Sequence, residues 1–301
     1  MSVVLLSGGS GGAKLARGLY DLLGAELAVI ANTGDDIEIH GAHVSPDPDL
    51  VSYWLADRID DRGWGLRDDT FAAMDMLREL GREVWFSLGD RDLALCLERR
   101  RLLEEGVSLS EAHAALTRAL GVQAQVIPMS DERVRTTIRS GEQTLSLQEF
   151  LIAHRGAAQI DDVAFEGATE AAGSPAALEA LRSARTIIIG PSNPVISIGP
   201  ILEIDSIRAA IEASSAPVVA VSPIVDGEVL KGPTASFMAF AALECSAAGV
   251  AEFYGELLDG IVADEDVARL PTLHADTRMS DAAGRARVAE QTLSFAAALA
   301  A

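Results

Sequence analysis

Short, almost continuous apolar runs recur along the chain and are separated by stretches with helical spacing. Such runs are typical of strands that are covered on both faces of a sheet. The predicted strands are Val3–Leu6, Leu27–Ile30, Val84–Phe86, Thr186–Ile189 and Val218–Val221. Leu15, Leu19 and Leu22 lie at positions i, i+4 and i+7, so they form one apolar stripe of a helix. The other predicted helices are Phe71–Leu80, Ser110–Leu120, Pro175–Ala184, Phe237–Cys245 and Ala282–Ala300.

This alternation of strands and helices predicts an α/β fold with a doubly wound, mostly parallel, Rossmann-like sheet. The length of 301 residues suits a single domain over residues 1–301. The stretch from about 102 to 173 is less regular. We expect it to form a helical insert or lid lobe over the site, with a two-stranded piece around 134–144.

Polar, glycine-containing segments follow all of the predicted strands. In chain order they read SGGSGGAK, ANTGDD, SLGDRD, GPSNP and SPIVDG. Polar turns after strands are common, but these segments also carry acids and an arginine, which turn chemistry does not require. Open α/β sheets bind ligands outside the carboxyl ends of their strands. We therefore expect the functional site at this edge of the sheet.

The first of these segments, Gly8 to Gly12, is predicted to be a loop that opens a helix and binds phosphate. Glycines let backbone N–H groups face an anion, and the helix N-terminus adds positive potential. Lys14 stands where a dinucleotide-binding fingerprint has its third glycine, and the spacing of a Walker A loop is also absent. Lys14 and Lys231 are the two lysines of the chain. The substrate-binding candidates are Gly9, Ser10, Gly11, Gly12, Lys14, Asn32, Ser192, Asn193 and Lys231.

A group of aspartates lies close together in the sequence. Asp35 and Asp36 follow the second strand, and Asp47 and Asp49 lie in the segment SPDPD. Clustered carboxylates repel one another unless a cation or hydrogen-bond donors neutralise them. Mg²⁺ held by one or two carboxylates and by phosphate oxygens is the simplest interpretation. The alternative for each acid is a helix cap or an Asx turn.

Arg91 lies between two aspartates in the segment GDRD, after the third predicted strand. It either forms a structural ion pair or grips an anion or a flat heterocycle. No Ser/His/Asp or Cys/His arrangement is evident. We therefore expect catalysis by positioning and by charge neutralisation, without a protein nucleophile.

Charge and composition exclude several partners. The net charge of −21 disfavours nucleic acid and anionic membranes, which both demand a basic face. No apolar run approaches the ~20 residues that span a bilayer, and the short apolar start lacks a basic region before it. Cys96 and Cys245 form no CxxC motif. We expect a cytoplasmic protein, and a homodimer built on apolar helix faces is compatible with its acidic surface.

Seven motifs together resemble the 2-phospho-L-lactate transferase family, which includes the bacterial phosphoenolpyruvate transferases of coenzyme F-420 biosynthesis. They run in the family's order from Val3 to about Val262: GGSGGAKLARGL, NTGDDIEIHGAHVSPDPD, GWGLRDDTF, LGDRDLA, PMSDERVRT, PSNPVISIGPIL and VAVSPIVDGEVLKGP. The resemblance implies transfer of a 2-phospholactyl or enolpyruvyl-phosphate group from its guanosine diphosphate ester to the deazaflavin Fo. GMP is the second product, and Mg²⁺ is required.

The resemblance also implies roles for particular residues. Asp49 and Arg91 would be catalytic and contact the deazaflavin, and the GGSGG and PSNP segments would hold the donor. The opening GGAKLARGL is similar to bacterial members and favours the phosphoenolpyruvate donor over phospholactate or phosphoglycerate. Relatives often have KGPADK where this chain has KGPTAS, and a threonine where it has Leu50. Ser236 stands where KGPADK has its second lysine, so the departures argue against a role for a second lysine near Lys231.

Two other functions compete with this interpretation. One is a nucleotide-sugar-binding regulator resembling the gluconeogenesis-factor family, which shares the glycine segment. The segments SPDPD, GDRD and PMSD favour the transferase instead. The other is an NAD-dependent oxidoreductase. The absent third glycine, and Asn32 where an acid would bind ribose, count against it.

Overall fold

The computed structural model describes residues 2–229 and 232–300 of the chain. The strands are β1 (Ser2–Ser7), β2 (Leu27–Ala31), β3 (Ile37–Ile39), β4 (Ala42–Val44), β5 (Gln125–Pro128), β6 (Arg135–Ser140), β7 (Gln143–Ser146), β8 (Asp162–Glu166), β9 (Ala184–Ile189), β10 (Val218–Val221), β11 (Ile224–Val225), β12 (Glu228–Val229), β13 (Gly260–Ala263) and β14 (Thr272–His274). The helices are α1 (Gly9–Leu23), α2 (Pro46–Leu55), α3 (Ala72–Glu79), α4 (Asp90–Glu104), α5 (Leu109–Ala119), α6 (Pro175–Arg182), α7 (Gly199–Leu202), α8 (Asp205–Glu212), α9 (Thr234–Phe240), α10 (Ala247–Tyr254) and α11 (Ala282–Leu299). None of the described helices is long and apolar enough to cross a membrane.

Within the described residues, a seven-stranded sheet has the order β14-β13-β10-β9-β1-β2-β5. Every neighbouring pair is parallel. From β1 the chain builds towards β5 on one side and later, from β9, towards β14 on the other. The topological switch point therefore lies between β1 and β9, where an open α/β sheet forms a ligand-binding crevice beyond its carboxyl edge.

Apolar layers cover both faces of this sheet. Alternate residues of β1 point to opposite sides, as in any strand. Val4 and Leu6 join the cluster that includes α6, α7, α8 and α10. Val3 and Leu5 pack with α1, α2 and α11 on the other side. The prediction of a doubly wound, mostly parallel α/β sheet is confirmed.

The stretch 102–173, which we expected to be a helical lobe, contains strands as well as helices. It supplies α5, the edge strand β5 of the central sheet, and an antiparallel sheet of order β7-β6-β8. The hairpin β6–β7 confirms the two-stranded piece expected around 134–144. β8 was not expected. Its alternating half-buried and exposed residues give it little apolar signal.

Several predicted elements are wrong or incomplete. Val84–Phe86 is not a strand: Phe86 packs with Met74 and Cys96 instead, and its carbonyl oxygen lies 2.8 Å from His40 Nε2. The helix predicted over 237–245 ends at Phe240, because Ala242 adopts a positive φ of 57°. The segments SPDPD and GDRD are not loops but the first turns of α2 and α4.

Candidate active site at the switch point

The glycine segment after β1 forms the start of a helix, which corrects the prediction of a loop from Gly8 to Gly12. Helix α1 begins at Gly9, so Gly8 alone links it to the strand. A Cβ atom on Gly11 would lie 1.9 Å from the Pro191 carbonyl oxygen. The glycines therefore let the first turn of α1 approach the segment that follows β9. The two segments meet directly above the switch point.

A cavity of about 480 Å³ opens at this junction, and we call it the glycine cavity. Its walls come from α1, from the segment after β9 and from the segment after β10. The lining residues are Gly8, Gly9, Ser10, Gly11, Lys14, Leu50, Gly63, Trp64, Gln148, Leu151, Pro191, Ser192, Asn193, Ile196, Ser197, Ser222, Pro223, Val229, Gly232, Pro233, Thr234, Thr277 and Met279.

The glycine cavity presents hydrogen-bond donors and a cation. Ser10 and Gly11 lie in the first turn of α1, where N–H groups have no acceptor within the helix. Asn193 accepts hydrogen bonds from the N–H groups of Val195 and Ile196 through Oδ1, while its buried Nδ2 has no partner. Lys14 completes the set. This combination suits an anion such as a diphosphate.

Asp47 joins the first turn of α1 to the first turn of α2. Its Oδ1 accepts from the Gly9 N–H at 2.5 Å, and its Oδ2 accepts from Asn32 Nδ2 at 3.0 Å. Asn32 is not among the residues that line the cavity, so its contact orients Asp47. Burial raises the pKa of Asp47 to about 6.

Asp35 and Asp36 lie near Asp47 and differ in how many of their carboxylate oxygens accept hydrogen bonds. Asp36 accepts from Ser45 Oγ at 2.7 Å and lies 3.0 Å from His43 Nε2. Asp35 accepts from Gln148 Nε2 at 3.0 Å through Oδ2, while its buried Oδ1 has no partner. Burial, together with repulsion from Asp47 and Asp36, raises the pKa of Asp35 well above its usual value. Asp35 Oδ1 thus has capacity for a cation, and Asp47, which accepts one hydrogen bond on each oxygen, is near enough to repel Asp35.

Asp49 is held by a buried arginine, Arg99, that no sequence motif singled out. Arg99 of α4 is fully buried and binds both carboxylate oxygens of Asp49, Oδ2 at 3.1 Å. It also donates to the His43 carbonyl oxygen at 3.0 Å. Burial nevertheless raises the pKa of Asp49. A bidentate guanidinium fixes the carboxylate in one orientation and neutralises its charge.

A second cavity, also of about 480 Å³, adjoins the first, and we call it the aromatic cavity. It shares Leu50, Trp64 and Gln148 with the glycine cavity. The lining residues are Val44, Pro46, Asp47, Asp49, Leu50, Tyr53, Trp64, Gly65, Trp85, Phe86, Ser87, Leu88, Asp92, Gln148 and Ile152. The size, the aromatic walls and the few polar groups suit a flat heterocycle.

The three charged residues of the segment GDRD lie in the first turn of α4 and make different contacts. Asp90 accepts from the Ala72 and Ala73 N–H groups, so it caps α3. Asp92 is buried, lines the aromatic cavity and accepts from the Tyr53 hydroxyl at 2.6 Å. Arg91 is exposed, donates to the Arg67 carbonyl oxygen at 3.5 Å and lines neither cavity.

The structure brings most of the predicted site residues together. Gly9, Ser10, Gly11, Lys14, Ser192 and Asn193 line the glycine cavity, and Asp47 and Asp49 line the aromatic cavity. Gly12 lies buried beside Ser7 and Ser192, behind the cavity wall. Lys231 lies outside the described residues. The aromatic cavity itself was not expected, because its residues are dispersed through the sequence without a motif.

The four aspartates do not converge on one point. Among the residues that the structure describes, three metal-binding side chains come within 4.8 Å of one another at Asp49, Asp92 and Cys96. Arg99 already occupies Asp49, so that group is a poor cation site. Mg²⁺ needs only one or two protein carboxylates when phosphate oxygens supply other ligands. The orphaned Oδ1 of Asp35 and the neighbouring Asp47 fit that requirement.

Comparison with known proteins gives the family. Residues 3–292 match the family described as 2-phospho-L-lactate transferase CofD. The chain is 40% identical to the 2-phospho-L-lactate transferase of Methanopyrus kandleri over 303 residues, 97% of each chain. It is 37% identical to the phosphoenolpyruvate transferase of Kitasatospora aureofaciens over 273 residues, 88% of this chain and 85% of the relative.

A solved structure of a UPF0052-family protein from Bacillus halodurans matches with a TM-score of 0.60. It covers 97% of this chain and 98% of that chain, and at 16% identity it shows a shared fold. The family match, by contrast, spans nearly the whole chain, and the relatives at 37–40% identity are transferases. The chain is therefore an enzyme and belongs to the 2-phospho-L-lactate transferase CofD family.

Proposed function

We propose that this enzyme transfers a phosphoacid group from its guanosine diphosphate ester to the deazaflavin Fo in coenzyme F-420 biosynthesis, releasing GMP. The observation that carries the proposal is the pair of adjoining cavities at the switch point. One is rich in anion-binding groups, and the other has aromatic walls and is lined by the carboxylates of Asp47 and Asp49. A transferase needs this arrangement, because donor and acceptor must be held side by side.

The glycine cavity is the proposed donor site. The diphosphate would accept from the N–H groups of Ser10 and Gly11 and from the orphaned Asn193 Nδ2, with Lys14 adding charge. Ser192 accepts from the Gly8 N–H at 3.3 Å, which fixes the turn against α1. The segment after β10 also lines this cavity, through Ser222 and Pro223, and would contact the nucleoside.

The aromatic cavity is the proposed acceptor site. Trp64, Trp85 and Phe86 offer flat apolar surface to a deazaflavin ring. The ribityl chain would then extend past Leu50 and Gln148 towards the glycine cavity, since both residues line both cavities. This path brings the terminal hydroxyl to Asp47 and Asp49.

The transfer requires one bond to form and one to break. The acceptor oxygen bonds to the phosphorus that carries the phosphoacid, the bond between that phosphorus and the bridging oxygen breaks, and GMP departs. The hydroxyl proton passes to Asp49, whose orientation Arg99 fixes. Asp35 and Asp47 would hold Mg²⁺, which neutralises phosphate charge when bound. Arg91 is exposed, and its catalytic role in contact with the deazaflavin stays a prediction from the family resemblance.

We favour phosphoenolpyruvate over phospholactate as the phosphoacid, because the opening GGAKLARGL is similar to bacterial members of the family. The test is to incubate the enzyme with Fo and Mg²⁺ and with each guanosine diphosphate ester in turn, and to identify products by mass spectrometry. We expect GMP and a dehydro form of the coenzyme core from the enolpyruvyl ester. A faster reaction with the phospholactyl ester would reverse the donor assignment, and no product from any ester would refute the function.

A further inference from the structure

Asp92 carries an unbalanced charge in the aromatic cavity. Together, Asp49 and Asp92 contribute two carboxylates to the buried space between α2 and α4, and Arg99 contributes one guanidinium. Arg99 binds both oxygens of Asp49. Among the described residues, Asp92 therefore has no ion-pair partner of its own, and most of the other side chains that line the cavity are apolar. Such a group is costly to bury unless hydrogen-bond donors satisfy it.

Protein donors satisfy one side of this carboxylate. The Tyr53 hydroxyl donates to Asp92 Oδ1 at 2.6 Å, and the Cys96 thiol lies 3.8 Å from the same oxygen. Within the described part of the chain, no hydrogen bond reaches Oδ2. Asp92 lines the aromatic cavity, so the vacant acceptor is available to a ligand there.

The position of Asp92 is also fixed. Its backbone N–H donates to Asp69 Oδ2 at 3.1 Å, which caps the first turn of α4. Tyr53 is buried in α2, so its hydroxyl ties the carboxylate to a second helix. Asp92 is thus held through both its backbone and its carboxylate. A side chain fixed in this way is pre-organised to recognise a ligand group of defined position. A residue needed only to favour the helix N-terminus need not be buried, and Asp90 in the same turn is only half-buried.

We propose that Asp92 is a specificity-determining residue of the acceptor site, which accepts a hydrogen bond from an O–H or N–H group on the edge of a flat heterocycle. The inference rests on the proposed function, because it places the deazaflavin in the aromatic cavity. Fo offers two such donors, its ring hydroxyl and its imide N–H. Tyr53 orients the carboxylate, and the aromatic side chains bind the faces of the ring.

The test measures the dissociation constant of Fo by fluorescence titration, without any donor present. Asp92→Asn keeps the shape and accepts from Tyr53 but removes the charge. Loss of a charge-assisted hydrogen bond should weaken Fo binding about 10- to 100-fold. GDP binding, followed by calorimetry, should be unchanged, because Asp92 does not line the glycine cavity. Glu98→Gln, on the exposed side of the same helix, is the matched control and should bind Fo like the wild type.

Methylated probes identify the donor. Fo methylated at the ring hydroxyl and Fo methylated at the imide nitrogen are compared with Fo itself. The wild type should bind one of these two probes more weakly than Fo, whereas Asp92→Asn should bind that probe and Fo with equal dissociation constants. Equal Fo affinity of wild type and Asp92→Asn, or full wild-type affinity for both methylated probes, would overturn the inference while leaving the proposed function intact. Failure of the wild type to bind Fo at all would contradict both.

Discussion

Replacing Asp92 with asparagine should make the protein more stable at neutral pH. Burial, with repulsion from Asp49, raises the pKa of Asp92 from 3.8 to about 6. At about 1.4 kcal/mol for each tenfold change in an ionisation constant, the ionised carboxylate destabilises the fold by about 3 kcal/mol. Asparagine removes this charge and still accepts from the Tyr53 hydroxyl. For a chain of this length, about 3 kcal/mol corresponds to roughly 5 °C in melting temperature.

The effect has a defined pH window. Because the folded-state pKa of Asp92 is raised, the folded protein holds more protons than the unfolded chain between pH 3.8 and about 6. The destabilisation is therefore absent below that window, grows as the pH rises through it, and is complete above it. The stability gained by Asp92→Asn should follow the same course.

The assay is urea unfolding of wild type and Asp92→Asn at pH 4 and pH 7.5, followed by tryptophan fluorescence. The variant should be more stable by about 3 kcal/mol at pH 7.5 and nearly equal to the wild type at pH 4. Glu98→Gln should change stability by no more than about 0.5 kcal/mol at neutral pH, as exposed substitutions usually do. An equal difference at both pH values, or a less stable variant at pH 7.5, would refute the assignment of a buried, charged Asp92.

Four other outcomes follow from the site. Lys14→Ala should raise the KM for the donor more than that for Fo, by about 10-fold or more, and an unchanged donor KM would remove Lys14 from the site. Arg99→Met should lower the unfolding free energy by about 3–5 kcal/mol because Asp49 stays buried and unpaired, whereas Arg99→Lys should fold better yet turn over more slowly, since it cannot form the bidentate contact. Arg91→Ala should leave the melting temperature unchanged because the side chain is exposed, so its turnover alone decides whether it contacts the acceptor. Excess EDTA should abolish turnover and added Mg²⁺ restore it; full activity in chelator would leave the aspartates as structural groups.

Local sequence patterns predicted four adjacent strands of the sheet, β10, β9, β1 and β2, but not the interior strand β13 or the two edge strands. The apolar runs in β1, β2, β9 and β10 are long enough to be recognised, because both faces of these strands are covered. β5 and β14 lie at the edges, and their mixed composition resembles that of loops. Val84–Phe86 has the composition of a strand but packs beside α3 and α4 instead. Whether an apolar run pairs with other strands depends on partners that its own composition does not reveal.

The site, too, could be predicted only in part from local sequence patterns. The glycines of α1 and the turn at Ser192 were predictable, because each motif follows its own strand within a few residues. The contacts between α2 and α4 were not, since Arg99 and Asp49 are 50 residues apart and Tyr53 and Asp92 are 39 apart. No spacing rule reports how closely two helices approach one another. The aromatic cavity depends on that approach, which is why it became visible only in the structure.

A crystal structure with Fo and GDP bound would decide whether donor and acceptor occupy adjoining cavities at the switch point. We expect the GDP phosphates at Ser10, Gly11 and Asn193 in the glycine cavity. The deazaflavin ring should lie among the aromatic side chains, with an edge donor on Asp92 and its ribityl hydroxyl pointing towards the phosphates. Fo bound anywhere outside the aromatic cavity, or GDP phosphates bound away from the start of α1, would contradict this arrangement.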